Sequence, residues 1–200
     1  MDSISAHELL NDVGHVRQRA RGDRRATSVP LIIFGALALV DALLRTMAGP
    51  IGNIVLLLLA PASFAVIALH YRRREIAMGV GSRAQTYAVA AVATVVAFLL
   101  FLSVLLLLGM YVVVGVGLLV IALTQRNLYL GVWAVVYGVV GGLEGLSLIS
   151  NRLYGAANGL GLFRTSDGYF SWSSSLIYGT LGLMLIGAGL YARRREVAST

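Results

Sequence analysis

The chain has 200 residues, 58% of them hydrophobic and 12% charged, and it contains no cysteine. Soluble domains carry about a quarter charged residues, so this chain lacks the polar groups to cover a water-facing surface, and its mean hydropathy is +0.82. The missing cysteines exclude disulfides, thiolate chemistry and cysteine-based metal sites; the net charge of +7 would suggest nucleic acid in a soluble protein, but here the positions of the arginines account for it.

All sixteen basic residues are Arg. With the many Ala, Val, Gly and Leu, this skew suggests a GC-rich genome. Residues 1–28 are polar and read as a cytoplasmic, Arg-rich segment. Within "HELLNDVGHVRQRARGDRRA" (7–26), Leu9, Val13, Val16 and Ala20 recur at helical spacing. That pattern predicts a short amphipathic helix lying on anionic headgroups, or docking a soluble partner. No small-residue cleavage site follows the first apolar run, so that run reads as a span and not a signal peptide.

A helix needs about 20 apolar residues to cross a bilayer core. The first span is predicted over 29–47, with Ser28 and Pro30 marking its start. "GPIGN" (49–53) reads as a turn, and the second span covers 54–70. Pro61 in its middle removes one backbone hydrogen bond, and Ser63 is placed to help with the freed carbonyls. From Tyr87 to Thr124 there is no charge. A single helix there would be about 57 Å long, roughly twice the core thickness. Two spans are therefore predicted, 87–107 and 110–124, broken at Gly109. The fifth covers 129–149 and the sixth 174–192, leaving 193–200 as a tail. Between them "NRLYGAANGLGLFRTSDGYFSWSSS" (151–175) forms an outer loop whose Tyr154, Phe163, Tyr169, Phe170 and Trp172 suit an interfacial belt.

Six spans put thirteen of the sixteen arginines on one side, leaving Arg45, Arg152 and Arg164 on the other. By the positive-inside rule the rich side is cytoplasmic. The fold expected is thus an all-α, six-helix transmembrane bundle with both termini cytoplasmic. Arg72, Arg73 and Arg74, and Arg193, Arg194 and Arg195, are candidate headgroup contacts.

The chain echoes itself. "FGALALVDAL" (34–43) matches "YGVVGGLEGL" (137–146): an aromatic–Gly pair, then an acid at Asp41 or Glu144, then a small residue and Leu. The following spans end in "RRREIA" (72–77) and "RRREVA" (193–198), and "IALHYRR" (67–73) resembles "IALTQRN" (121–127). Two readings stand: three repeated helical hairpins, or chance matches among apolar helices whose Arg ends topology demands.

Asp41 and Glu144 are the only acids inside spans. A charged carboxylate at a helix centre costs at least ~2.5 kcal/mol on insertion scales, so each must face the interior, be neutral or have a partner. Asp41 has Arg45 four residues on; Glu144 has no such neighbour, and Arg45 serving both acids is the candidate intramembrane polar network. The bland reading is a network that fixes helix packing; the functional one is a proton- or cation-responsive transport path. Gly138, Gly141, Gly142 and Gly145 have the small-xxx-small spacing of close helix packing. His7, His15 and His70 do not form a metal pair. No P-loop, nucleophile–base set or cofactor motif is present, so neither an enzyme nor a cofactor is expected.

"VRQRARGDRRATSVPLIIFGALAL" (16–39) and "IALTQRNLYLGVWAVVYG" (121–138) resemble small polytopic integral membrane proteins of actinobacteria that are themselves uncharacterised. The resemblance implies a multi-pass protein of the bacterial plasma membrane and transfers no activity. The function expected is a non-enzymatic membrane component: a partner subunit, scaffold or sensor, with a protein partner on its cytoplasmic face. The alternative is a small transporter or channel using Asp41 and Glu144. Anionic lipid is an expected contact, nucleic acid is not, and a homo-oligomer is compatible.

Overall fold

A computed structural model describes residues 27–47, 50–78, 83–108, 110–159 and 169–198. Among them are seven α-helices and no strand: α1 (Ser28–Met47), α2 (Pro50–Met78), α3 (Arg83–Leu108), α4 (Met110–Thr124), α5 (Leu128–Gly145), α6 (Leu148–Gly159) and α7 (Tyr169–Ala198). Three stretches, Ser28–Thr46, Leu128–Gly145 and Ser173–Ala198, are long and apolar enough to cross a membrane; Ala84–Leu100 and Met110–Thr124 are shorter apolar helices. The amphipathic helix expected over 7–26, the break at Gly109 and Phe163 of the outer loop lie outside the described residues.

Several boundaries differ from expectation. Pro50, read as part of a turn, is the first residue of α2, where its missing N–H costs nothing. α2 runs on through Pro61 and past the Arg triplet to Met78. The Ser63 hydroxyl bonds Leu59 O at 2.8 Å, within its own helix; the carbonyl that Pro61 frees is that of Leu57, four residues before it. The stretch expected as one span over 129–149 is two helices. α5 stops at Gly145 and α6 begins at Leu148, because Ser147 takes a left-handed φ of 55°. Part of the expected outer loop is therefore helical. α6 is turned outward along 151–156.

α4 closes with the same device. Arg126 sits at φ 50°, and Asn127 N and Arg126 N donate back to Ala122 O (2.8 Å) and Leu123 O (3.1 Å). This left-handed termination usually falls to Gly. Asn127 then caps α5, its side chain accepting from Leu130 N at 3.2 Å.

Adjacent helices run antiparallel, and the most extensive packing is between α7 and α1, α4 and α5, and α2 and α3. Only the last two pairs are consecutive in the chain. The α7–α1 pair joins the last helix to the first. The two glycine-bearing crossings are the close ones. A Cβ on Gly35 would stand 2.8 Å from Ile186 Cγ1 and 2.9 Å from Gly182 O; a Cβ on Gly115 would stand 2.6 Å from Gly138 Cα. Backbones this near give dispersion contact where lipid offers helices no hydrophobic drive to associate.

Burial follows a common register along the three helices that end in the basic segments. In α4, Tyr111, Val114, Leu118, Ile121 and Ala122 are buried. A shift of 67 residues carries them onto Tyr178, Leu181, Leu185, Ala188 and Gly189 of α7, also buried. A shift of 54 back carries the last four onto Ala60, Phe64, Ile67 and Ala68 of α2, again buried. A shift of 103 from α1 to α5 superposes Phe34 on Tyr137, Gly35 on Gly138 and Asp41 on Glu144, and the two acids and two aromatics are buried in both.

Gly115→Ala should lower the unfolding temperature in detergent markedly, since overpacking costs about 1–3 kcal/mol. Gly131→Ala, whose Cβ would meet only Ala122 Cβ at 3.7 Å, should leave it unchanged within error. Parallel thermal unfolding of the two variants checks this.

Candidate functional site

The most polar buried cluster among the described residues lies at the end of the bundle opposite the Arg triplets. It is built from α1, α4, α5, α6 and α7. Asp41 is 0% exposed and Glu144 4%. Helical spacing brings Arg45 back one turn onto Asp41, Nε to Oδ1 at 2.9 Å. The Tyr111 hydroxyl, from α4, donates to Oδ2. Both oxygens of Asp41 are thus filled, one by a cation and one by a neutral donor.

Glu144 has different partners. The Ser174 hydroxyl, from α7, donates to Oε1, and Ser150 N donates to Oε2 at 3.2 Å. Ser150 is the third residue of α6, so its amide has no acceptor inside its own helix. Glu144 therefore caps α6. The helix N-terminus contributes a partial positive charge toward the carboxylate. Among the described residues Arg45 forms its ion pair with Asp41 and not with Glu144. The expected three-membered network is two separate arrangements.

The arrangements are cross-linked reciprocally. Asp41, from the α7–α1 pair, takes its hydroxyl from α4; Glu144, from the α4–α5 pair, takes its hydroxyl from α7. Between them Tyr111 and Tyr178 stack at 4.4 Å and 11°, one from each pair. The Arg45 guanidinium lies 4.6 Å from the Tyr178 ring centroid. Tyr111 also packs on Tyr137 at 5.0 Å, Tyr137 on Phe34 at 6.1 Å, and Phe34 on Phe64 at 4.8 Å. An aromatic chain therefore runs from Arg45 across α7, α4, α5 and α1 to α2. α1 and α5, the expected first and fifth spans, touch through Phe34 and Tyr137.

The glycines beside Glu144 are used for packing. A Cβ on Gly141 would overlap Tyr111 Cβ, and one on Gly142 would stand 2.9 Å from Val112 Cγ2. Gly138 lies on Gly115, and Gly145 is half-buried at the end of α5. The space they leave beside the helix is filled by α4.

Local composition does not predict that Tyr111, Ser150, Ser174 and Tyr178 join this cluster. The spacing Tyr-x-x-x-Gly at 111–115 and again at 178–182 was the available signal. No group of three or more metal-ligating side chains occurs among the described residues.

At the other end, Arg72, Arg73, Arg74, Arg193, Arg194 and Arg195 are all exposed. The glutamates that follow them accept from backbone amides at the starts of neighbouring helices. Glu75 accepts from Ala84 N at 3.0 Å, at the start of α3. Glu196 accepts from Thr27 N (2.6 Å), Ser28 N (3.1 Å) and Ser28 Oγ (2.8 Å), at the start of α1.

A double-mutant cycle separates the two acids. Asp41→Asn and Tyr111→Phe should couple by about 1 kcal/mol, the scale of side-chain hydrogen bonds within membranes. Arg45→Gln and Glu144→Gln should add within about 0.5 kcal/mol. Reversible unfolding in mixed micelles measures both. Comparison with protein-family models, with curated proteins and with solved structures finds no match to this chain, so the reading of the site rests on its geometry.

Proposed function

We propose that the chain is a multi-pass protein of the bacterial plasma membrane that acts as a non-enzymatic membrane component, a partner subunit, scaffold or sensor. In this reading α1, α2, α3, α4, α5 and α7 are the six spans. α6 lies along the outer surface, and both termini are cytoplasmic. The lengths of α2 and α3, 29 and 26 residues, support spans there. The Arg triplets at the ends of α2 and α7 and Arg126 in the α4–α5 turn all belong to the cytoplasmic face by the same rule of charge. Protein partners would be met there; a homo-oligomer is compatible with the outward apolar residues of α3, such as Val89, Val92 and Leu99.

One observation carries the choice of a non-transporting role. Each buried acid has both oxygens occupied by groups of the chain itself, and the space between the two is taken by stacked tyrosines. A path for a solute needs binding groups that are open to exchange. Here the carboxylates serve helix packing and capping.

A second reading, a small transporter using Asp41 and Glu144, is favoured by one feature. The donors to Glu144 are a hydroxyl and an amide, both neutral, whereas Asp41 has Arg45. Intramembrane acids without a cationic partner mark ion and proton paths in other proteins.

Glu144→Gln distinguishes the two. For the component reading, the variant in liposomes shows a lowered unfolding temperature or altered oligomer state, with no proton- or solute-linked flux in wild type or variant. For the transport reading, wild type carries a flux and the folded variant loses it. Crosslinking and pull-down from native membranes should recover a stoichiometric partner if the component reading is right.

A further inference from the structure

Tyr178, Tyr111, Tyr137, Phe34 and Phe64 pack ring on ring in that order. The two ends of this chain differ. Phe34 and Phe64 are 0% exposed and carry nothing polar, while the three rings on the side of the acids are tyrosines. A shift of 103 residues sets Tyr137 on Phe34, so α1 fills the matching place with a bare ring. Packing at that position needs the ring and not the oxygen.

The Tyr111 hydroxyl is spent on Asp41. The Tyr137 and Tyr178 hydroxyls form no hydrogen bond among the described residues. Each of these residues is only 1% exposed, yet neither oxygen is fully enclosed. An unbonded oxygen that stays open, on a side chain otherwise buried, faces a small internal space. A buried hydroxyl left dry costs free energy that phenylalanine would avoid. Two of them, both packed on the Tyr111 ring, mark a polar interior.

We propose that Tyr137 and Tyr178 share a buried water at the end of the bundle opposite the Arg triplets, each donating its hydroxyl proton to that water. A buried water needs about two to four polar partners, and this place offers them. The water's oxygen accepts from the two phenols. Its own protons go to lone pairs that the cluster leaves over. The Tyr111 oxygen donates to Asp41 and accepts from nothing among the described residues. Each carboxylate oxygen of Asp41 and Glu144 receives one bond, and such an oxygen has room for a second. A metal ion fits less well, because it would take the phenol lone pairs and leave both phenolic protons without acceptors. The water is closed in and opens no path. The inference rests on the packing reading of the cluster proposed above and adds a fixed solvent molecule to it.

Hydroxyl-radical footprinting by X-rays, on the full chain in nanodiscs, tests this, because radicals born from a bound water mark the residues that touch it. Tyr137 and Tyr178 should be labelled although buried, and the equally buried Phe34 and Phe64 should not. After mixing into oxygen-18 water, the heavy label should reach both tyrosines several-fold more slowly than the exposed Tyr191. Y178F should cut the labelling of Tyr137 several-fold, Y137F should do the same to Tyr178, and each should lower the unfolding temperature. The wild-type pattern stands as a test even where a variant does not fold. Unlabelled tyrosines, or phenylalanine variants that raise the unfolding temperature, would mean dry hydroxyls and overturn the water. Labelling that changes when sodium is replaced by N-methylglucamine at fixed ionic strength would put a cation in its place. Heavy label reaching Tyr137 as fast as Tyr191 would open the cluster to bulk solvent and overturn the packing reading itself.

Discussion

The first amides of a helix have no acceptor within it, and near a hydrocarbon core there is no water to supply one. Much of this structure answers that one constraint. α1 is capped by Glu196, α3 by Glu75, α5 by Asn127 and α6 by Glu144. Every glutamate among the described residues is used in this way, and each reaches from the end of one helix to the start of another. A cap supplied from a neighbouring helix fixes the relative height of two helices as well as ending a chain of hydrogen bonds. This answers the puzzle of a carboxylate set among glycines at 141–145: Glu144 is the first acceptor that α6 meets.

Asp41 solves a different problem. It caps nothing; it binds Arg45 on its own helix and Tyr111 on another. Its position in α1 nevertheless matches that of Glu144 in α5, and each acid is held by a hydroxyl from the opposite helix pair. The glycine crossings of Gly35 on Gly182 and Gly115 on Gly138 bring each pair together. The two hydroxyl bonds and the Tyr111–Tyr178 stack then join pair to pair. Small residues make the pairs, and polar and aromatic residues make the core out of pairs. The α2–α3 pair has no acid among the described residues of α3. It joins the assembly through Phe64 on Phe34, while the stacked Tyr71 and Tyr87 hold α2 to α3 within the pair.

What the sequence made legible is what depends on composition and short spacing. The apolar runs, their Arg-rich ends, the Asp41–Arg45 pair and the echo between α1 and α5 all lie within a turn or two of chain. Partners at long range were out of reach. Glu196 and Thr27 are 169 positions apart and Tyr111 and Asp41 are 70 apart, and no local pattern links them. The assignment of Arg45 to Glu144 followed from counting charges, which overlooks backbone amides as partners. α6 was hidden by its own residues: Gly155, Asn158 and Gly159 read as loop, and Ser147 takes a left-handed turn that a sequence assigns to glycine. Pro50 shows the converse, a turn-like residue that opens a helix.

The partnership of α7 with α1 has a consequence for how such a chain is made. Synthesis runs from the N-terminus, so α1 emerges first and its principal neighbour last. In the proposed multi-pass reading, α1 rests in lipid through most of translation with neither Ser174's helix nor Tyr111 beside it. Asp41 and Arg45 lie one turn apart on the same helix, so α1 carries its own neutralisation from the moment it leaves the ribosome. Glu144 has no such companion in α5, and it has less need of one: Ser150 follows within six residues and Ser174 within thirty. The different ways in which the two acids are satisfied match the different times each spends waiting for the rest of the protein.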